Sequence, residues 1–266
     1  TTHPSIGGWM IGRGSGTNQL ISNLTGVGGE QSATHSKSLS TDNSWHHIAL
    51  TRASGSTKLF VDGIQDGSTY SDSTSYENPA NRPLIGQSGG STNLDATTFF
   101  KGYISNLRLV KGTALYTSDF TPPTEALTAV TNTKLLCCQS NTSPTLSAVK
   151  PDASHTITAN GGVSAATDNP FSNATDGSVS FDGTDDYLDV SDSNDWDMGT
   201  NPFTIECFVN INSSTTSYSG IFGMHTGSVQ FQFRLNNVGR IQFLQDFGGT
   251  RGNIDDNDTS GTDLRD

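Results

Sequence analysis

Cysteine is rare in this chain of 266 residues: there are three, and two of them, Cys137 and Cys138, are neighbours. Adjacent cysteines pair only with a strained backbone, so no disulfide framework is expected. Basic residues are also scarce. Fourteen Lys and Arg stand against 26 Asp and Glu, for a formal charge of −12. Phosphate binding needs a positive surface, which excludes nucleic acid as a partner. Glutamate occurs only as Glu30, Glu77, Glu125 and Glu206; the remaining acids are Asp, whose short side chain favours turns and loops. No stretch reaches the ~18 apolar residues that span a bilayer, so membrane insertion is not expected. No secretory leader is visible. The chain begins with Thr1 rather than Met, which leads us to expect a processed product or part of a longer protein.

What is abundant is Gly, Ser, Thr and Asn, with hydrophobic residues at 32%. That mixture suits a thin β-sandwich with many polar loops. Apolar runs recur at short intervals along the whole length, which argues against disorder. The clearest is Ser44-Trp-His-His-Ile-Ala-Leu-Thr-Arg52, read as a strand over 45–52. It is followed by a turn at Ala53-Ser-Gly-Ser56 and a return strand over 57–62, ending in Val61-Asp-Gly63. β-branched and aromatic residues flank turn formers here, the pattern of a hairpin.

Further strands are expected in a hairpin within residues 1–24 and at Leu84–Gln87, Phe99–Val110, Leu135–Cys138 and His155–Ala159. In Phe99–Val110, period 2 puts Tyr103, Ser105, Leu107 and Leu109 on one face. Phe100, Gly102, Ile104, Asn106, Arg108 and Val110 fall on the other. Pro122-Pro123 stops any strand there. Residues 146–177, with Pro151 and Pro170, read as a linker. Beyond it lie Ser178–Val190, then Phe203-Thr-Ile-Glu-Cys-Phe-Val209, in which Phe203, Ile205, Cys207 and Val209 alternate with Thr204, Glu206 and Phe208. Gly220–Met224 follows, and a hairpin turning at Asn236-Asn-Val-Gly239.

The pairing of Trp45-His-His-Ile-Ala49 with Leu59-Phe-Val-Asp-Gly63 resembles the laminin G-like (concanavalin A-like) jelly-roll family. So do Phe181-Asp-Gly-Thr-Asp-Asp-Tyr-Leu188 and Thr204-Ile-Glu206. Val110-Lys-Gly-Thr-Ala-Leu-Tyr116, Phe120-Thr-Pro-Pro123 and Leu135–Asn141 are similar to laminin G-like modules in virion proteins of tailed, notably marine, phages. The resemblance implies an all-β antiparallel sandwich. In the family the Phe-Asp-Gly segment precedes Trp-His-His; here the order is reversed. Residues 1–145 read as the late part of one module and residues 178–266 as the early part of a second. A tandem repeat seen through a window, a circular permutation, and exchange of half-domains between neighbouring chains all account for that order. Trp9–Gly16 looks like a diverged copy of Ile221–Ser228, which favours a tandem repeat of roughly 210 residues.

Four stretches bear on chemistry. His46 and His47 are adjacent on a strand, so they point to opposite faces and do not chelate one ion. Asp182, Asp185 and Asp186 share one turn and admit two readings. Carboxylate oxygens clustered this way are hard ligands suited to Ca²⁺; they also serve to cap the amides of the turn itself. The resemblance adds weight to calcium, because laminin G-like domains often bind it at a rim. Asp256-Asn-Asp-Thr-Ser-Gly261 matches only the opening of an EF-hand loop, without flanking helices. Gly12-Arg-Gly-Ser-Gly16 lacks the following helix that a phosphate cradle needs. Glycoside hydrolysis takes two carboxylates at a set separation, and related glucanases on this fold carry a Glu-x-Asp-x-x-Glu strand. Glu206 stands alone in its strand, so the chain is expected not to be an enzyme.

The resulting expectation is a non-catalytic virion surface or tail fibre-like protein that binds glycan of a bacterial host, outside the cell. Its partners would be other virion proteins or copies of itself. The alternative is a purely structural decoration or cement protein, and a glucanase-like hydrolase ranks last.

Overall fold

The computed structural model describes residues 8–15, 19–26, 29–38, 43–65, 69–71, 75, 83–87, 99–211, 219–226, 229–235, 239–247 and 250–253. The strands in chain order are β1 (Gly8–Ser15), β2 (Gln19–Gly26), β3 (Gly29–Ser38), β4 (Trp45–Ala53), β5 (Ser56–Val61), β6 (Ile64–Gln65), β7 (Tyr70–Ser71), β8 (Leu84–Ile85), β9 (Lys101–Lys111) and β10 (Thr133–Cys137). They continue with β11 (Ser147–Val149), β12 (Ile157–Asn160), β13 (Ser164–Ala166), β14 (Ser178–Asp182), β15 (Tyr187–Val190), β16 (Phe203–Asn210), β17 (Ser219–Thr226), β18 (Val229–Leu235), β19 (Gly239–Phe247) and β20 (Thr250–Asn253). Among the described residues no helix is long and apolar enough to cross a membrane.

These strands build two sheets. The front sheet runs β11-β10-β9-β16-β4-β5-β6, with β14 also on β9, β13 on β14 and β7 on β5. The back sheet runs β12-β15-β8-β17-β18-β19-β1-β2-β3, with β20 on β19. The ladders are antiparallel apart from a single parallel bridge between β19 and β2. The chain is thus an all-β antiparallel sandwich, as the strand pattern predicted.

The core lies between the sheets. Ile48, Leu50, Leu59, Val61, Phe203, Ile205, Cys207 and Val209 from the front sheet meet Ile85, Leu188, Val190, Ile221 and Phe222 from the back sheet. Each alternate residue of β4 and β16 therefore enters the core, as the period-2 pattern requires. Two hairpin turns bind the front sheet. Ser54 (φ 49°) and Gly55 (φ 70°) join β4 to β5; Asp62 (φ 48°) and Gly63 (φ 79°) join β5 to β6. Both two-residue loops have positive φ at each position, the turn whose twist matches the flanking strands.

The expected face assignment of β9 holds over only part of the strand. Ile104, Leu107 and Leu109 all enter the core. Glu206 pairs with Arg108 and Phe208 with Ser105, so two steps along β16 oppose three along β9. The extra residue falls beside Asn106, which takes a left-handed φ of 54°. A bulge of this kind reverses which residues face inward.

Short strands also run through the stretch read as a linker. Residues 146–177 carry β11, β12 and β13, which pair with β10, β15 and β14. β16 lies between β4 and β9 along its whole length. Segments 1–145 and 178–266 accordingly interleave within the same sheets. Pro- and Ser-rich composition read as a linker because three-residue strands leave almost no periodic signal.

Candidate functional site

The outward face of the front sheet is the chemically rich one. β16 is buried on both faces, and its outward residues are Thr204, Glu206, Phe208 and Asn210. Residues 112–132 leave β9 and fold back over the middle of this face. Tyr116 and Phe120 stack on one another with ring centroids 3.7 Å apart and 8° between planes. The edge of His47 meets both rings, at 6.1 Å and 5.6 Å. Phe60 and Phe208 complete the aromatic layer. Gly63 anchors this roof: its carbonyl accepts the Phe120 N–H at 2.8 Å, and a Cβ there would stand 1.9 Å from the Phe120 carbonyl oxygen.

Beneath the roof lies a buried ionic cluster centred on Glu206. Arg108 donates to its Oε1 through Nε at 2.9 Å and Nη2 at 2.7 Å. Tyr116 OH donates to Oε2 at 2.9 Å, and His47 Nε2 lies 3.1 Å from the same oxygen. Arg108 Nη1 also donates to the Thr128 carbonyl at 2.7 Å, tying the roof down. Burial pushes the Glu206 carboxyl up, but His47 and Arg108 outweigh it and hold the group below the usual range. Burial, together with the Glu206 charge, pushes the Tyr116 phenol well up. Glu206 is thus an ionised acceptor with both oxygens engaged, under a layer of aromatic rings.

At the Thr51 end of β4 the same face opens into a cleft of about 310 Å³. Thr51, Ala53, Ser56, Lys58, Thr69, Tyr116 and Thr117 line it, a wall of mixed polar and apolar surface. Lys58 Nζ donates to the Thr117 carbonyl at 2.7 Å and Thr51 Oγ1 to the Tyr116 carbonyl at 2.7 Å. The roof segment therefore forms one wall of the cleft.

The acidic turn lies elsewhere, where β14 passes to β15. Asp182, Asp185 and Asp186 place carboxylate oxygens within 4.8 Å of one another. Asp186 is buried. It accepts the Asp182 N–H at 2.9 Å through Oδ2, and the Gly162 N–H through Oδ1. Asp182 Oδ1 accepts the Thr184 N–H at 2.7 Å. These bonds are the amide-capping role foreseen for the turn. They leave the carboxylates close enough to share one hard cation, with water or other oxygens needed to complete six to eight ligands. Burial pushes the Asp186 carboxyl up, despite its two backbone donors, and a bound cation would reverse that direction.

The remaining candidates separate. His46 pairs with Asp62 at 2.9 Å on the inward side, while His47 is buried on the outward side, so the two rings do point apart. Gly12–Ser15 fall in β1, and Asp256–Gly261 lie outside the described residues. The Glu206 cluster was not foreseen as a unit. Its other members lie 90 to 159 residues from Glu206 in sequence, and the one available signal was a Glu in the middle of a core strand.

Residues 2–116 match a laminin G family model described as the concanavalin A-like lectin/glucanases superfamily. The match covers β1 to β9 and agrees with the antiparallel sandwich formed by the chain. No curated protein and no solved structure matches the chain.

Proposed function

We propose that this protein is a non-catalytic carbohydrate-binding sandwich, displayed outside the cell on a phage virion surface or appendage, where it engages glycan of a bacterial host. The observation that carries the binding reading is the cleft beside the roofed Glu206 cluster, where Ser56, Lys58, Thr69 and Thr117 stand among apolar surface. Hydroxyl and ammonium groups around an open concave wall suit the dense hydroxyl pattern of a sugar. The family match points to the same ligand class. The non-catalytic reading is supported by Glu206, which has both oxygens bonded and, among the described residues, no second carboxylate against it. The virion setting rests on the resemblance of Val110–Tyr116, Phe120–Pro123 and Leu135–Asn141. Calcium at Asp182, Asp185 and Asp186 belongs to the same proposal, as a clamp on the β14–β15 turn.

The test is binding of the full chain to an array of bacterial surface glycans, with a reducing-sugar assay alongside. Saturable binding that falls in Lys58→Ala, with no new reducing ends, is the expected result. Release of reducing ends would overturn the non-catalytic reading, and an empty array the binding reading.

One observation favours the structural alternative. β16, in the middle of the front sheet, comes from the opposite end of the chain from β4, so a neighbouring copy offering the same strand would complete the sheet equally well. Thr51 and Thr204 are cross-strand partners. Oxidised Thr51→Cys/Thr204→Cys runs as a monomer on a non-reducing gel if each chain closes on itself. It runs as linked dimers or ladders if copies exchange β16.

A further inference from the structure

At the opposite end of the same face from the cleft, Asn210 is the cross-strand partner of both Trp45 and Tyr103. Residues directly opposite on adjacent strands project to one side of the sheet, so the Asn210 side chain is flanked by the two aromatics. Their ring centroids are 6.4 Å apart and their planes tilted by 46°. Both residues are half-buried, Trp45 packing against the small cluster of Leu127, Leu136 and Phe208. Trp45 Nε1 donates to the exposed carboxylate of Asp168 at 3.4 Å. Asn210 itself is 2% exposed. Its Nδ2 donates to the Asn43 carbonyl at 2.9 Å, and its Oδ1 is buried with no hydrogen-bond partner. An unsatisfied buried acceptor is unfavourable and calls for a reason. The main chain is drawn tight here as well: a Cβ at Gly102 would stand 2.2 Å from the Asn210 carbonyl oxygen.

We propose that Trp45, Tyr103, Asn210 and Asp168 form a second subsite, for one neutral pyranose ring; this rests on the carbohydrate-binding reading given above. An aromatic face receives the C–H face of the sugar, and a few placed polar atoms fix its orientation. Asn210 Oδ1 accepts one sugar hydroxyl once the Tyr103 ring turns aside, and Asp168 accepts a second. A net charge of −12 disfavours anionic sugars, which is why the ligand is a neutral one. The subsite is separate from the cleft. Trp45 and Thr51 are six steps apart along β4, roughly 20 Å at the rise of a strand, and the roof segment covers the middle of the face.

The experiment is an amide and indole NMR titration of the full chain with maltohexaose, laminarihexaose and mannohexaose. The expected result is a shift of the Trp45 indole N–H signal on addition of at least one of them. Trp45→Ala and Asn210→Leu should each weaken that binding roughly ten-fold or more, without a matching loss of Tm. If a sugar shifts only Thr51, Lys58 and Thr117 and the variants bind as wild type does, the subsite is wrong and the carbohydrate reading stands. If none of the three sugars shifts any signal, both are wrong. Should Trp45→Ala fail to fold, the wild-type indole signal decides alone.

Discussion

The two faces of β16 are both buried, but different forces hold them. Inward, Phe203, Ile205, Cys207 and Val209 meet apolar side chains of the opposite sheet, and removal of apolar surface from water stabilises the contact. Outward, Thr204, Glu206 and Asn210 carry polar groups into a layer only one segment thick. There the roof of residues 112–132 is held by the Tyr116 hydrogen bond to Glu206, by the Arg108 hydrogen bond to the Thr128 carbonyl and by stacked rings. The inward face tolerates small losses of volume. The outward face depends on every charge having its partner, because an ion stripped of its partner in a low-dielectric layer cannot recover its hydration.

The sharpest way to break this comparison is Glu206→Gln. It leaves Arg108 buried opposite a neutral group, and the expected loss is about 3–5 kcal/mol in urea unfolding. Glu206→Leu with Arg108→Met removes both charges together and should recover much of that loss. If the double variant is no better than Glu206→Gln, pairing is not what holds the roof.

pH separates the faces next, since the inward one does not titrate in the ordinary range. The folded Glu206 carboxyl is held below its unfolded value of about 4.3, so the unfolded chain binds more protons in that window. Its contribution is present above about pH 4.3 and is lost as pH falls through the folded value. Tyr116 is shifted upward, so its contribution is present below about pH 10 and lost as pH rises beyond. Melting curves across pH should show both limbs in the wild type, and Glu206→Gln should show a smaller acid one.

On the inward face, Ile205→Val should cost only about 0.5–1.5 kcal/mol, read from the same urea transitions. A larger loss than that of Glu206→Gln would invert the comparison. The smallest effect belongs to the acidic turn. Asp186 is shifted upward, the opposite sense to Glu206, and relief by Ca²⁺ should raise stability by about 0.4 kcal/mol when the free ion equals its Kd. Thermal melts in Ca²⁺ against a chelator check this, with Asp185→Asn abolishing the difference.

Local features were largely readable from the sequence, and distant ones were not. The hairpin turning at Ser54-Gly55, the alternation along Phe203–Val209 and the convergence of Asp182, Asp185 and Asp186 all follow from spacing over a few residues. The reversal of faces in β9 escaped the pattern because one bulged residue at Asn106 shifts everything after it. The strand at Ile157–Asn160 was expected, whereas Ser147–Val149 and Ser164–Ala166 escaped the pattern because three residues are too short to show a period. Arg108, Tyr116 and His47 gather around Glu206 only through pairing of β16 with β4 and β9, which no local rule anticipates. The same holds for the meeting of Trp45, Tyr103 and Asn210.

On the proposed function, this sheet face binds sugar at its open ends and performs no chemistry at its closed centre. One NMR sample containing the full chain and a soluble host-type oligosaccharide tests it directly. The account predicts shifts at Thr51, Lys58 and Thr117, none at His47 or Glu206, and sugar signals that stay unchanged over days. Shifts centred on Glu206, with the oligosaccharide converted to shorter products, would contradict it.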